Sequence, residues 1–142
     1  MIQAIEIKFS TRPPQGIYEK ARDEFGVDFR KGAVFTVGDV IHCESFPLPD
    51  HLYEHEKVHV IQQSNYDGGY VEWWNRYFED PYFRYTQELE AYRTQYKFFC
   101  SKVKDRNQRF KFLNHIATHL TTLYGLQKVG QTQQKSIMDI KK

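Results

Sequence analysis

Two prolines within three residues, in the run Phe46-Pro47-Leu48-Pro49, split this chain into two parts that fold differently. Proline brings no amide proton to a ladder or a helix interior, so neither element passes through that run. Before it, the apolar residues favour short strands. Ile5, Ile7 and Phe9 alternate within residues 2–9, and Thr11-Arg12-Pro13-Pro14 closes that strand. Residues 33–37 and 40–45 are two more β-rich runs, joined by Gly38-Asp39, a two-residue turn suited to a hairpin. In between, Ile17, Ala21 and Phe25 repeat at helical spacing and predict a helix over 16–25, ended by Gly26. After the prolines, Asp50 is a natural N-cap for a helix over 51–64, which Asn65, Asp67, Gly68 and Gly69 stop. Further helices are expected over 70–79, 82–103, 107–123 and 132–140, with Asp80-Pro81 and Gly125 as breaks. Strands first and helices after predict an α+β class. A length of 142 residues suits one domain covering 1–142.

Composition narrows the function classes. Aromatics make up 16% of the residues, so the core is expected to be ring-rich. The formal net charge of +2 names no partner, although from Lys102 onward the basic residues far outnumber Asp105 and Asp139. A basic tail of this kind touches phosphates in some proteins and in most is a solvated face. Cys43 and Cys100 stand far apart with no CxxC spacing, which fits free thiols in a reducing compartment. The opening residues carry no signal-peptide pattern and no apolar run is long enough for a membrane span, so a soluble cytoplasmic protein is expected.

The chemistry is concentrated in His55-Glu56-Lys57-Val58-His59, an HExxH sequence inside the helix expected over 51–64. Side chains at i and i+4 stand on one helix face a turn apart, so the two imidazoles can converge on one zinc ion. Glu56 projects at a neighbouring angle and reaches water beside the ion rather than the ion itself. Zinc acidifies water, and an adjacent carboxylate can take the proton. A histidine pair at this spacing also occurs in proteins that bind no metal. Here the helix has a cap, a strand precedes it, and a candidate third ligand follows. A hydrolytic zinc site takes three protein ligands and keeps one position open. Position 62 is Gln and position 65 is Asn, so the three-histidine extension is missing. The third ligand is sought in Glu88-Leu89-Glu90-Ala91-Tyr92, one long helix downstream, where Glu88 and Glu90 do not share a face.

HExxHxxQ over 55–62 and ExEAY over 88–92 together resemble the small gluzincin-type zinc metallopeptidases, including short phage and bacterial proteins. The resemblance covers roughly residues 33–95, with a weaker echo at Leu123-Tyr124-Gly125. It implies a small zincin-like domain, zinc held by His55, His59 and Glu88, with Glu90 as the fallback ligand, and Glu56 as general base. Tyr92 stands where many gluzincins carry an aspartate behind a histidine ligand. The resemblance further implies a Tyr or His donor that stabilises the tetrahedral intermediate, for which Tyr124 is the candidate. It implies a peptide or protein substrate added as a strand along residues 40–45. A phage origin would place the protein in host cytoplasm or virion.

Gln62 lies on the histidine side of its helix and is expected to bond near the metal or hold a neighbouring helix. His115 and His119 form a second pair without a following carboxylate, expected to be packing or surface residues; one of them is a candidate to line the cleft. Of the adjacent Trp73 and Trp74, one is expected in the core and the other in the cleft wall. Two other classes remain: a zinc-stapled protein without catalysis, whose fold depends on the metal, and a module contacting nucleic acid through its basic end. The sequence lacks a basic groove with interleaved aromatics, which ranks nucleic acid last.

Overall fold

A computed structural model describes residues 5–142. The chain opens with β1 (Lys8–Ser10) and α1 (Gln15–Phe25), followed by a 3-10 turn over Phe29–Lys31 and the hairpin β2 (Phe35–Val37) and β3 (Val40–His42). Helices then take over: α2 (Asp50–Asn65), α3 (Gly69–Glu79), α4 (Pro81–Lys102), α5 (Arg106–Thr122) and, after a 3-10 turn over Leu126–Val129, α6 (Gln133–Lys141). The α+β class and the order of elements are those expected. The strand over 2–9 is observed as Lys8–Ser10, and residues 2–4 lie outside the described part.

Local chemistry sets the boundaries. Gly26 ends α1 in the left-handed region at φ 72°, where a Cβ would be strained, and its amide returns to the Arg22 carbonyl. Asp80 accepts from the amides of Tyr82 and Phe83, and Pro81 occupies the first turn, so the dipeptide that stops α3 also starts α4. Asp105 and Thr132 cap α5 and α6 in the same way. Asp50 is not a cap. Pro49 occupies that position, and Asp50 lies in the first turn, where its charge favours the helix N-terminus.

The sheet runs β1-β3-β2, with β1 parallel and β2 antiparallel to β3. This corrects the expectation that residues 40–45 form an edge strand open to a peptide. β3 is central, with Ile41 opposite Phe9 on one side and Thr36 on the other. Nor is β2 free for strand addition at its centre. The Thr36 carbonyl accepts from Gln63 Nε2 of α2 at 2.8 Å and from the Trp74 indole of α3 at 3.1 Å.

Two apolar clusters hold the domain together. One joins α4, α5 and α6 around Phe112, Leu113, Ile116, Leu120 and Ile140. The other joins α1, β2, α3 and α4 around Phe29, Phe35, Trp73, Trp74 and Phe83. Both tryptophans are buried, where one had been expected in the core. Tyr124 packs against both clusters. Between the clusters α2 lies along α4, and the buried face of α2 is His55, Glu56, His59, Val60 and Gln63, four of its five residues polar. Among the described residues no helix is long and apolar enough to cross a membrane.

Candidate metal centre

α2 and α4 bring the expected ligands together. His55, His59 and Glu88 are all buried, at 3%, 5% and 4% exposure. One donor atom from each lies within 4.8 Å of the others. Glu88 Oε1 stands 3.3 Å from His55 Nε2 and 3.1 Å from His59 Nε2. Two donors about 2.0–2.1 Å from a zinc ion at the tetrahedral angle stand about 3.3 Å apart, so these separations suit one small cation. Glu90 is exposed, and among the described residues its Oε1 accepts only from Gln62, at 3.4 Å.

The far side of each imidazole is fixed. His59 Nδ1 lies 2.8 Å from Gln62 Oε1, while Gln62 Nε2 donates to the Gln87 carbonyl at 3.0 Å. A carbonyl only accepts, so the Gln62 amide orientation is determined and His59 Nδ1 carries the proton. Gln62 thus holds the neighbouring helix, tying α2 to α4, and also touches His59, a ligand candidate. His55 Nδ1 donates to Gln95 Oε1 at 2.9 Å, and Gln95 Nε2 donates to His51 Nδ1 at 2.9 Å. Burial, then the nearby His115 charge, lowers the His51 pKa, which favours the neutral ring, the form with one nitrogen free to accept. Both ligand candidates therefore present Nε2 to Glu88, the nitrogen that is left to bind a metal once it gives up its proton. The group behind His55 is the Gln95 amide, and Tyr92 sets its ring against His55, centroids 4.4 Å apart.

Glu56 is 4% exposed and its Oε2 lies 3.9 Å from His55 Nε2. Thr36 Oγ1 donates to its Oε1 at 3.1 Å, leaving Oε2 toward the histidines. Burial raises the Glu56 pKa despite the opposing pull of the two histidines. For Glu88 burial acts in the same direction, but His59 and His55 outweigh it and hold the carboxylate well below its usual range. Burial lowers the His59 pKa; the Glu88 charge and hydrogen bond, with Glu56, overcome this and push it up to about 9.

These groups open on a chamber of about 100 Å³. Thr36, Trp73, Trp74, Tyr77 and Tyr124 form part of its lining, and Ala21, Phe25, Val27, Ala33 and Val34 form the wall on the N-terminal side. Tyr124 reaches the chamber as expected, its hydroxyl 2.5 Å from that of Tyr92. Withdrawal from water, then the Glu88 charge, raises its pKa well above the ordinary phenol value, so it is a protonated donor. His115 and His119 face each other, centroids 4.4 Å apart, and are absent from the chamber lining.

Sequence reasoning missed Tyr77, Gln95 and Thr36. Gln95 had a signal: Glu88, Tyr92 and Gln95 fall at i, i+4 and i+7, one face of α4. Tyr77 and Thr36 had none, because they come from α3 and β2 and meet the site only through tertiary packing. The chain matches no family model, no curated protein and no solved structure.

Proposed function

We propose that this chain is a zinc-dependent peptidase in which His55, His59 and Glu88 hold the ion and Glu56 is the general base. One observation carries the reading: two imidazoles, each with its Nδ1 proton committed to a glutamine oxygen, converge through Nε2 on one buried carboxylate, beside a second whose pKa is raised. Two histidines and a carboxylate are a donor set for zinc with a position left open. When bound, zinc supplies Lewis-acid polarisation of a carbonyl and a more acidic water.

The chain's own groups do the rest. Thr36 holds one Glu56 oxygen and leaves the other to take a proton from water and return it to the leaving amine. The raised Glu56 pKa brings it closer to neutrality, where a group that must both accept and give a proton works best. Tyr124, protonated and facing the chamber, donates to the oxygen that gains charge as the carbonyl is attacked. The chamber of about 100 Å³ is smaller than the roughly 300–1,000 Å³ of ordinary ligand pockets, so a peptide enters only when a wall moves. α1 is held to the later helices by ring packing and cation–π contacts. Among the described residues no side-chain hydrogen bond or ion pair joins it to the helices that follow; Tyr18 bonds Asp28, and Arg22 pairs with Asp23.

The same enclosure favours a second reading, in which zinc staples α2 to α4 without catalysis. The two separate in one experiment. Zinc is measured in the parent, His59→Ala, Glu88→Ala and Glu56→Gln, and each is assayed on a mixed peptide library. The peptidase reading expects about one zinc per chain in the parent and in Glu56→Gln, cleavage by the parent alone, and loss of zinc in the other two. A parent still empty after zinc is supplied overturns both readings. A zinc-loaded parent that cleaves nothing, even with its wall loosened, leaves the staple.

A further inference from the structure

Glu88 has two oxygens with different neighbours. Oε1 faces both histidines, while Oε2 accepts from the Tyr77 hydroxyl at 2.6 Å. We propose that Tyr77 is a positioning residue of the metal centre: by occupying Oε2, its phenol presents Glu88 to the ion through Oε1 alone. The inference rests on the metal-centre reading and adds a residue to it. A carboxylate that binds through both oxygens fills two positions, whereas one oxygen leaves the open position that a hydrolytic site needs.

The packing around Tyr77 is built to hold that hydroxyl still. Its ring is 3% exposed, stacked on Trp73 with centroids 5.0 Å apart and set edge-on to Trp74 at 4.9 Å. Arg84, one turn before Glu88 on α4, donates from Nη1 to the Tyr77 carbonyl at 2.7 Å and from Nε to the Tyr124 carbonyl at 2.8 Å. One guanidinium thus ties the end of α3, which carries Tyr77, and the Tyr124 backbone to the turn that carries Glu88. Hydrogen bonds behind a ligating carboxylate typically change metal affinity 10–100-fold when removed.

The test uses Tyr77→Phe, which keeps the ring and deletes the hydroxyl, with Tyr92→Phe as a comparison. Tyr92→Phe removes a buried phenol of the same region that bonds Tyr124 rather than Glu88. Each protein is titrated with zinc, then loaded with cobalt(II), whose visible bands weaken when a four-coordinate site becomes five-coordinate. The expected result is a 10–100-fold loss of zinc affinity and weakened cobalt bands in Tyr77→Phe, with both readouts at parent level in Tyr92→Phe. Parent-like affinity and spectrum in a folded Tyr77→Phe overturn the positioning role while leaving the metal centre intact. Equal changes in both variants also overturn it, because any lost phenol would then do. A parent that binds neither zinc nor cobalt overturns the metal centre itself.

Discussion

Glu88→Gln puts the centre to a quantitative test, because Glu88 is the group on which both histidines converge. In the metal-free protein its charge is what keeps His59 protonated, pushed up to about 9 from an ordinary 6.5. Without that charge His59 gives up its proton instead of remaining buried and unpaired. The loss at pH 7 is then the stabilisation His59 drew from its partner, about 2–3 kcal/mol at 1.36 kcal/mol per pKa unit. A chain of this size moves by about 3–4 °C per kcal/mol, so the metal-free variant should melt roughly 6–12 °C below the parent. Zinc widens the gap. At 100 times its dissociation constant a ligand stabilises by about 2.7 kcal/mol, a rise of about 8–11 °C for the parent. Affinity weakened at least 100-fold leaves the variant no more than about 0.4 kcal/mol at the same concentration, a rise of at most about 2 °C. Calorimetric melting of both proteins, stripped and zinc-supplied, reads all four values. A variant whose melting point climbs with zinc as far as the parent's refutes Glu88 as a ligand.

Two further predictions follow from the same geometry. The folded His59 pKa lies above the unfolded one, so its contribution is whole below about pH 6.5 and is lost as pH rises through about 9; the metal-free parent should therefore lose roughly 3 kcal/mol over that window, seen as a falling melting temperature, and a flat profile counts against the His59–Glu88 pair. Phe25 is half-buried, stacked on Phe78 at 5.7 Å and covered by the Arg84 guanidinium at 4.7 Å, so Phe25→Ala should cost about 2 kcal/mol and let a chelator strip zinc several-fold faster, whereas an unchanged stripping rate shows that α1 does not guard the chamber.

The fold was legible wherever short-range chemistry decides it. Gly38-Asp39 placed the hairpin, Gly26 the end of α1, and Asp80-Pro81 the break between α3 and α4. Thr132 caps α6 and set its start within one residue. What stayed hidden is what depends on two distant segments. Strand order is one case: β1 enters the sheet beside β3 through a parallel pairing that no turn sequence announces, and this moved β3 from the edge to the centre. The buried face of α2 is another. Hydrophobic periodicity finds buried faces by their apolar residues, and this face is polar at His55, Glu56, His59 and Gln63, so only the chemical motif marks it. Glu88 was reached because its motif lies on one helix. Tyr77, which grips its second oxygen from another helix, was not.

The polar seam has an energetic meaning. Four ionisable groups, His55, Glu56, His59 and Glu88, share one interior site, each no more than 5% exposed, inside a domain that otherwise packs aromatic rings against aliphatic side chains. Replacing a buried ion pair with apolar residues of similar volume is often neutral or stabilising by about 1–4 kcal/mol, so stability alone does not account for the set. Chance does not account for it either. Among the described residues every buried polar side-chain atom has a hydrogen-bond partner, down to the glutamines behind the two histidines and the tyrosine behind the glutamate. Those partners orient the two histidines and the glutamate without neutralising them. Gln62 and Gln95 carry no charge, and Tyr77 is kept protonated by burial and by the Glu88 charge, so the anionic character of Glu88 is left for whatever sits between it and the two Nε2 atoms. A proton shared with His59 fills that place in the metal-free chain. On the proposed reading a divalent cation would fill it with more charge and satisfy three donors at once, so zinc is expected to displace the proton rather than bind beside it.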